Sequence, residues 1–154
     1  MLIDQKDYIK IIDVFPIPCI DIVIIYQGKV LLGKRKNNPY KGQWRIPWWR
    51  VYKWEEQYTA IQRLLKTETS LDLSEIPYTP KLLWVYDVIE TWTSFSDTQV
   101  GHAICSTYML EIWAESLKNI HPDPQNEVLE WFPLDHSIET KLKRVLQWFN
   151  LIKN

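Results

Sequence analysis

The sequence contains little glycine and little cysteine. Only 4 of its 154 residues are Gly, well below the roughly 7% of an average protein, so few positions suit tight turns or a close approach of the backbone to a ligand. A glycine-rich phosphate loop is absent from the sequence. The two cysteines, Cys19 and Cys105, cannot form the framework of a disulfide-stabilised protein, and we interpret them as buried thiols.

Long apolar runs and an excess of charge of one sign are also missing. The longest apolar run, residues 20–26, is too short to span a bilayer and contains Asp21, and the first residues lack the basic-then-apolar order of a signal peptide. With 18 Lys and Arg against 19 Asp and Glu, the net charge is −1, which does not favour nucleic-acid binding. We expect one cytoplasmic domain over residues 1–154, with neither a membrane nor a nucleic acid as partner.

Hydrophobic periodicity predicts a mixed sheet between helices. Asp4 can cap a helix that ends near Ile12, and Gln27-Gly28 separates apolar runs at 20–26 and 29–33 as in a β-hairpin. The further predicted elements are a strand at 44–47, a helix at 54–68, strands at 82–92, 103–113 and 128–132, and a last helix from the cap Ser137 to Phe149. This order indicates an α+β fold, an α/β/α sandwich.

The predicted helix at 54–68 carries charged residues whose spacing packing alone does not require. Glu55 and Arg63 are eight residues apart, a little more than two helical turns, so they can approach each other if the start of the helix is irregular. Position 68, which is Glu, shares a helix face with positions 64 and 67. A metal-phosphate enzyme would place carboxylates on that face.

These residues belong to a longer pattern, Trp49-x5-Glu55-x7-Arg63-Leu64-Leu65-Lys66-Thr67-Glu68-Thr69-Ser70-Leu71. It resembles the Nudix box, Gly-x5-Glu-x7-Arg-Glu-apolar-x-Glu-Glu-x-Gly-apolar, and differs from it at positions 49, 64, 67 and 70. One branch of the Nudix superfamily, the GDP-mannose mannosyl hydrolases, also lacks the acids at positions 64 and 67. The approach to the box, residues 31–47, is similar to that branch as well.

The resemblance implies a Nudix fold and a Mg²⁺-dependent hydrolase, with Mn²⁺ as the other candidate ion. The substrate class it implies is a nucleoside diphosphate sugar, GDP-mannose-like, which is cleaved at the sugar carbon to give sugar plus nucleoside diphosphate. One Mg²⁺ would neutralise the departing diphosphate. Relatives form homodimers, so a homodimer is a candidate state here.

The same resemblance assigns roles to individual residues. The implied metal ligands are Glu68, the side chain of Gln125 and the backbone carbonyl of Trp48. Arg35 and Arg50 match the arginines that bind the diphosphate and assist its departure, a task that suits a bidentate guanidinium. The resemblance also assigns Asp21 as an acid near that site, and Glu55 and Arg63 as the pair that orients the box helix.

Two departures from the family pattern bear on activity. Asn126 stands where the family has the His that activates water, and an amide cannot accept a proton near neutral pH. The chain also has 9 Trp, and Trp48, Trp49 and Trp54 occupy sites where the family has glycine. Ser70 replaces a further glycine, and Trp84 marks a looser match.

These departures leave alternatives open. The enzyme can cleave a P–O bond of a nucleotide substrate, as a Nudix pyrophosphohydrolase does, or the chain can be a catalytically degenerate Nudix-fold binding module. The tryptophans themselves can be genuine, engineered, or the result of reading TGA as Trp in a gene whose host reads it as Gly.

The last explanation predicts a lower intact mass for the protein purified from its native host. Each true Gly would lower the mass by about one indole side chain relative to the printed sequence. A mass that agrees with all 9 tryptophans would refute this explanation.

Overall fold

The computed structural model describes residues 4–37, 40–93, 96–122, 124, 126–134 and 142. The elements are α1 (Gln5–Val14), β1 (Ile17–Tyr26), β2 (Lys29–Arg35), β3 (Trp44–Arg45), β4 (Trp48–Arg50), α2 (Gln57–Thr69), β5 (Lys81–Thr93), β6 (Ser96–Glu111) and β7 (Asn126–Pro133). Two short 3-10 helices, Leu73–Glu75 and Ala114–Asn119, lie in the connections. Within the described residues, no helix is both long enough and apolar enough to cross a membrane.

The described strands form one mixed sheet around β1. The main strand order is β3-β2-β1-β6-β5, while β4 pairs with β1 and β7 pairs with β2. β1 runs parallel to β6, from Ile17 opposite Ala103 to Ile25 opposite Glu111, and antiparallel to β2 and β4. The predicted α+β fold is confirmed, since a mixed sheet carries helices on its faces.

The alternation of side chains along β1 creates two separate cores. Ile20, Ile22 and Ile24 pack against the apolar face of α2, including Ile61 and Leu65. On the other face of the sheet, Val23 and Ile25 pack with Leu142, and Ile17 and Cys19 pack with Ile12 of α1. Both faces of β1 are therefore covered.

The predicted first helix and hairpin are confirmed. The Asp4 carboxylate accepts a hydrogen bond from the backbone N–H of Lys6 at 2.8 Å, and Pro16 follows the end of α1. At the hairpin, Gln27 and Gly28 have φ values of 46° and 71°. Positive φ at both central residues is typical of the type I′ turn, which matches the twist of paired strands.

The last predicted helix lies mostly outside the described residues. Of the range 137–149, only Leu142 is described, and it is helical and buried.

Three element boundaries differ from the prediction. The strand predicted at 44–47 is shorter, since β3 ends at Arg45, and an unpredicted strand, β4, begins after Pro47, which has no N–H for a ladder. The helix predicted from Trp54 begins at Gln57, since Trp54 adopts a left-handed φ of 67°. Between the strands predicted at 82–92 and 103–113, where we expect a polar loop through Asp97, the two strands instead continue as a hairpin in which Thr93 pairs with Ser96.

The C-cap of α2 is a position that glycine would suit better than the serine that occupies it. Ser70 caps the helix with φ 63° and ψ 4°, in the left-handed region, where an L side chain is disfavoured. We expect Ser70→Gly to raise the free energy of unfolding by about 1 kcal/mol, measured by urea denaturation. Gln62→Gly, at an exposed position inside α2, is the control and should lower it by about 1 kcal/mol. A loss of stability in Ser70→Gly would contradict this account of the cap.

Candidate active site

A bidentate ion pair fixes the loop before α2 to the helix. Arg63 Nε lies 2.6 Å from Glu55 Oε1, and Arg63 Nη2 lies 2.8 Å from Oε2. The same Nη2 donates to the carbonyl of Arg50 at 3.0 Å, and Glu55 also accepts from the N–H of Tyr52 at 2.9 Å. The hydrogen bonds to Arg63 hold the pKa of Glu55 below its ordinary value, and those to Glu55 raise the pKa of Arg63. The ion pair thus holds the loop from β4 to α2 at two points, because Arg63 binds the carbonyl of Arg50 and Glu55 binds the N–H of Tyr52.

Glu68 is the one acid on its face of α2. Leu64, one turn earlier, is buried in the core against β1, and the Thr67 hydroxyl donates to the carbonyl of Arg63 at 2.6 Å. Glu68 itself is buried, and its Oε2 accepts a hydrogen bond from Asn126 Nδ2 at 3.4 Å. The helix therefore presents a single carboxylate where the common Nudix pattern has several acids.

Asn126 occupies its position because Gly33 lies beneath it. A Cβ on Gly33 would come within 2.8 Å of Asn126 Oδ1 and 2.9 Å of its Cγ, closer than atoms pack in proteins. Arg35, two residues further along β2, lies directly opposite Asn126 in β7. Glu68 and Asn126 are thus brought together from α2 and β7, and Arg35 of β2 pairs with Asn126 along the sheet.

The two candidate diphosphate arginines each lie beside a tryptophan. Arg35 is buried, and its Cζ is 5.9 Å from the ring centre of Trp48. The Cζ of Arg50 is 5.6 Å from the ring of Trp49 and 5.1 Å from the ring of Tyr8 in α1. Because a guanidinium is attracted to an aromatic face, the indoles are part of the immediate surroundings of both charges.

Asp21 lies in a different environment from Glu68. It follows Ile20 in β1, so its side chain points to the face of β1 opposite α2. Its Oδ2 accepts a hydrogen bond from the Tyr86 hydroxyl at 2.5 Å and one from the Thr107 hydroxyl at 3.5 Å. Burial raises the pKa of Asp21, while the hydrogen bond from Tyr86 and the positive charge of Arg45 oppose the rise.

A small cavity adjoins Asp21. Its volume is about 10 Å³, close to the minimum for one water molecule. Its lining is unusually polar for a protein interior and comprises Asp21, Tyr40, Arg45, Trp48, Tyr86, Val88, Ala103 and Cys105. Trp48 lies opposite Asp21 in a pair that exchanges no backbone hydrogen bonds, because Ile22 N–H donates instead to the carbonyl of Pro47. Such pairs hold their side chains close together, so the indole fills space beside the carboxylate.

Arg45, Tyr40 and Tyr86 are site residues that the sequence reasoning missed. Arg45 Cζ lies 4.1 Å from the ring of Tyr40, and its buried Nε has no hydrogen-bond partner among the described residues. Burial, reinforced by the charge of Asp21, raises the pKa of Tyr86. No spacing in the sequence links these three residues to Asp21, although Arg45 does lie within the approach to the box, residues 31–47.

The tryptophans at glycine sites have three different environments. Trp48 is only 8% exposed and packs in the core beside α1 with Ile17 and Cys105. Trp49 is half-buried, and its Nε1 donates to the Tyr52 hydroxyl at 3.2 Å. Trp54 is 92% exposed and left-handed, so this position does have the backbone conformation that favours glycine.

Two further residues complete the predicted set. Trp84 lies in β5, beside an irregularity in its pairing with β6, and is about half exposed. Gln125, predicted as a metal ligand, lies outside the described residues. Within the described part of the chain, no three or more His, Cys, Asp or Glu side chains converge as a metal site.

Comparison with known proteins places the chain in a family. The sequence pattern of the NUDIX domain matches residues 17–149. The MutT NUDIX hydrolase of Burkholderia pseudomallei has a similar structure, with a TM-score of 0.69 and 23% sequence identity over 87% of this chain and 98% of that chain. That likeness supports the fold.

Two characterised relatives are similar in sequence. The low-salt glycan biosynthesis protein Agl8 of Haloferax volcanii is 28% identical over 133 residues, which cover 84% of this chain and 79% of that protein. The ADP-ribose pyrophosphatase of Methanocaldococcus jannaschii is 35% identical over 103 residues, which cover 67% of this chain and 55% of that protein.

The environments of Trp48 and Trp54 predict that substitution by glycine has opposite effects on stability at the two positions. Trp48→Gly should lower the free energy of unfolding by about 3–5 kcal/mol, because it removes a buried aromatic side chain. Trp54→Gly should raise it by up to about 1 kcal/mol, because it relieves a left-handed conformation and removes little buried surface. Urea unfolding of both variants measures the difference. Equal stability of Trp48→Gly and the parent protein would contradict the core position of this indole.

Proposed function

The chain belongs to the NUDIX domain family, and on that premise we propose that it hydrolyses a nucleoside diphosphate sugar, GDP-mannose-like, to free sugar and nucleoside diphosphate. The observation that carries the proposal is the single carboxylate of α2. With Leu64 in the core and Thr67 bonded to Arg63, Glu68 is the acid that this face offers. One acid suits one Mg²⁺ held largely by substrate phosphates.

The donor set around Glu68 fits such an ion. A buried carboxylate is a hard oxygen ligand of the kind that Mg²⁺ or Mn²⁺ takes. The side chain of Gln125 and the backbone carbonyl of Trp48, which points away from β1, would complete the protein ligands. When bound, the ion would neutralise negative charge on the departing diphosphate.

The arginines supply the rest of the positive charge in this proposal. Arg35, which faces Asn126 across β2 and β7, would bind the diphosphate near Glu68. Arg50 would bind it from the β4 side, where the bidentate pair of Glu55 and Arg63 holds the Arg50 carbonyl through Arg63. Asp21 would be the acid near this site, with its side chain on the face of β1 away from α2. In this scheme the Asn126 amide positions Glu68, and no residue is assigned as the base.

The relatives support a nucleotide-sugar substrate in part. The name of the Haloferax volcanii relative places that protein in glycan biosynthesis, a process that consumes activated sugars. This supports a nucleotide-sugar substrate, which the resemblance in residues 31–68 first suggested.

A second candidate function is cleavage of a P–O bond in a nucleotide substrate. The relative from Methanocaldococcus jannaschii, an ADP-ribose pyrophosphatase by name, favours it, as does the amide at position 126. The products distinguish the two reactions on GDP-mannose. Free mannose with GDP supports hydrolysis at the sugar carbon, whereas mannose phosphate with GMP supports the second candidate.

A third candidate is a binding module without turnover, which the indole of Trp48 beside Asp21 favours. A screen of nucleotide sugars with Mg²⁺, followed by calorimetric binding, separates it from both enzymes. Binding without products would support the module.

We expect Glu68→Gln to lower kcat on the order of 10²-fold, as the loss of one charge-stabilising group does, with the same products. Glu56→Gln is the matched control, because Glu56 is exposed just before α2 and its side chain makes no capping bond. Its kcat should equal that of the parent. Equal kcat in the two variants would refute the assignment of Glu68.

A further inference from the structure

Two thiols lie side by side in the core between the sheet and α1. Cys19 of β1 and Cys105 of β6 are directly opposite each other in the parallel ladder, so both side chains lie on the same face of the sheet. Each residue is only 2% exposed, and both pack in one cluster with Ile12 and Ile17. The two thiol groups are hydrogen-bonded to each other. We call them the thiol pair, and the proposed reaction assigns no role to either of them.

The spacing of the thiol pair suits a bridging ion better than a disulfide. Residues directly opposite on neighbouring strands are separated by about 4.8 Å, the distance between the strands. A disulfide draws its two Cβ atoms to about 3.8 Å, and the continuous ladder from Ile17 to Ile25 opposes such an approach of β1 and β6. A linear sulfur–metal–sulfur unit with metal–thiolate bonds of about 2.3 Å spans about 4.6 Å, which is close to the strand spacing.

Positive charge surrounds the thiol pair. Arg50 of β4 is opposite Cys19 in the ladder. The hydrogen bond with Cys19 and burial raise the pKa of Cys105, and the positive charge of Arg45 opposes that rise. The negative charge of Asp21 acts in the opposite sense, but burial raises the pKa of Asp21 itself and so favours its neutral form. Since nearby cations stabilise thiolates, the two guanidinium groups favour a site with one net negative charge.

We propose that the thiol pair binds one soft monovalent metal ion, Cu(I), in linear two-coordination between Cys19 Sγ and Cys105 Sγ. Soft thiolate ligands select Cu(I), whereas a structural Zn²⁺ takes four ligands. Among the described residues, no third His, Cys, Asp or Glu converges with the two thiols, so the pair suits an ion that needs two ligands. Binding breaks two S–H bonds, forms two S–Cu bonds and releases two protons to solvent, with no change of oxidation state.

The small polar cavity beside Asp21 extends to the thiol pair. Cys105 forms part of its lining, and its volume of about 10 Å³ is that of one water-sized atom. An ion that enters this space meets a thiol directly. Because Glu68 meets Asn126 on the other side of the sheet, the Cu(I) site is separate from the proposed Mg²⁺ site, and the proposal stands independently of the proposed activity.

Anaerobic titration of the reduced full chain with Cu(I), in competition with a chromophoric Cu(I) chelator, tests the proposal. The parent protein should bind one ion per chain. Cys19→Ala and Cys105→Ala should each weaken binding by at least about 100-fold, because each removes one of two ligands. Met109→Leu is the matched control, since it removes the remaining sulfur of the described residues from a different core cluster, and it should bind as the parent does. A parent protein that binds no ion, or a cysteine variant with the affinity of the Met109 variant, would overturn the proposal.

X-ray absorption at the copper edge tests the geometry and does not depend on any variant folding. The Cu(I)-loaded parent protein should show two sulfur neighbours and no nitrogen or oxygen neighbour. The intact mass of the metal-free protein should also stay unchanged after exposure to air, because the strand spacing disfavours a disulfide. A third ligand in the absorption spectrum, or a mass lower by two hydrogens from closure of Cys19 with Cys105, would overturn this arrangement.

Discussion

Burial of β1 on both faces and along both edges is the constraint on which the rest of this structure depends. Its parallel ladder with β6 occupies one edge, while β2 and β4 share the other. The side chains of β1 alternate between the α2 core and the opposite core. The strands that pair with β1 therefore have their register fixed by it, and the helices pack against its two faces. β4 reaches the loop that leads into α2, so the ion pair of Glu55 with Arg63 is also positioned relative to this strand.

The same constraint explains why the carboxylate of Asp21 in β1 is buried and hydrogen-bonded. Asp21 is only 4% exposed, and its partners come from strands far away in the chain, Tyr86 in β5 and Thr107 in β6. A buried acid is tolerated when hydrogen bonds and a nearby cation offset its desolvation. Trp48 adds an indole to the same space. The interior beside Asp21 is therefore polar but closed, whereas Glu68 meets the amide of Asn126 on the other side of the sheet.

Local patterns in the sequence predict much of the fold and less of the site. The cap at Asp4, the turn at Gln27-Gly28 and the alternation in β1 act over a few residues, so the printed sequence reveals them. The three residues of β4 carry no periodicity, because their position comes from pairing with β1 after Pro47. In the site, the spacing of Glu55 and Arg63 indicates their approach, since one helix and its leading loop hold both. The contacts of Glu68 with Asn126 and of Asp21 with Tyr86 join residues 58 and 65 positions apart, and only the assembled sheet brings them together.

The contact between Gly33 and Asn126 also couples two positions that are far apart in the sequence. A side chain at position 33 would collide with Oδ1 of residue 126 as it now stands. A residue other than glycine at position 33 therefore requires that the side chain at position 126 move or become smaller. The effects of substitutions at the two positions are thus expected to be non-additive, because the glycine contacts a side chain from a strand nearly a hundred residues later.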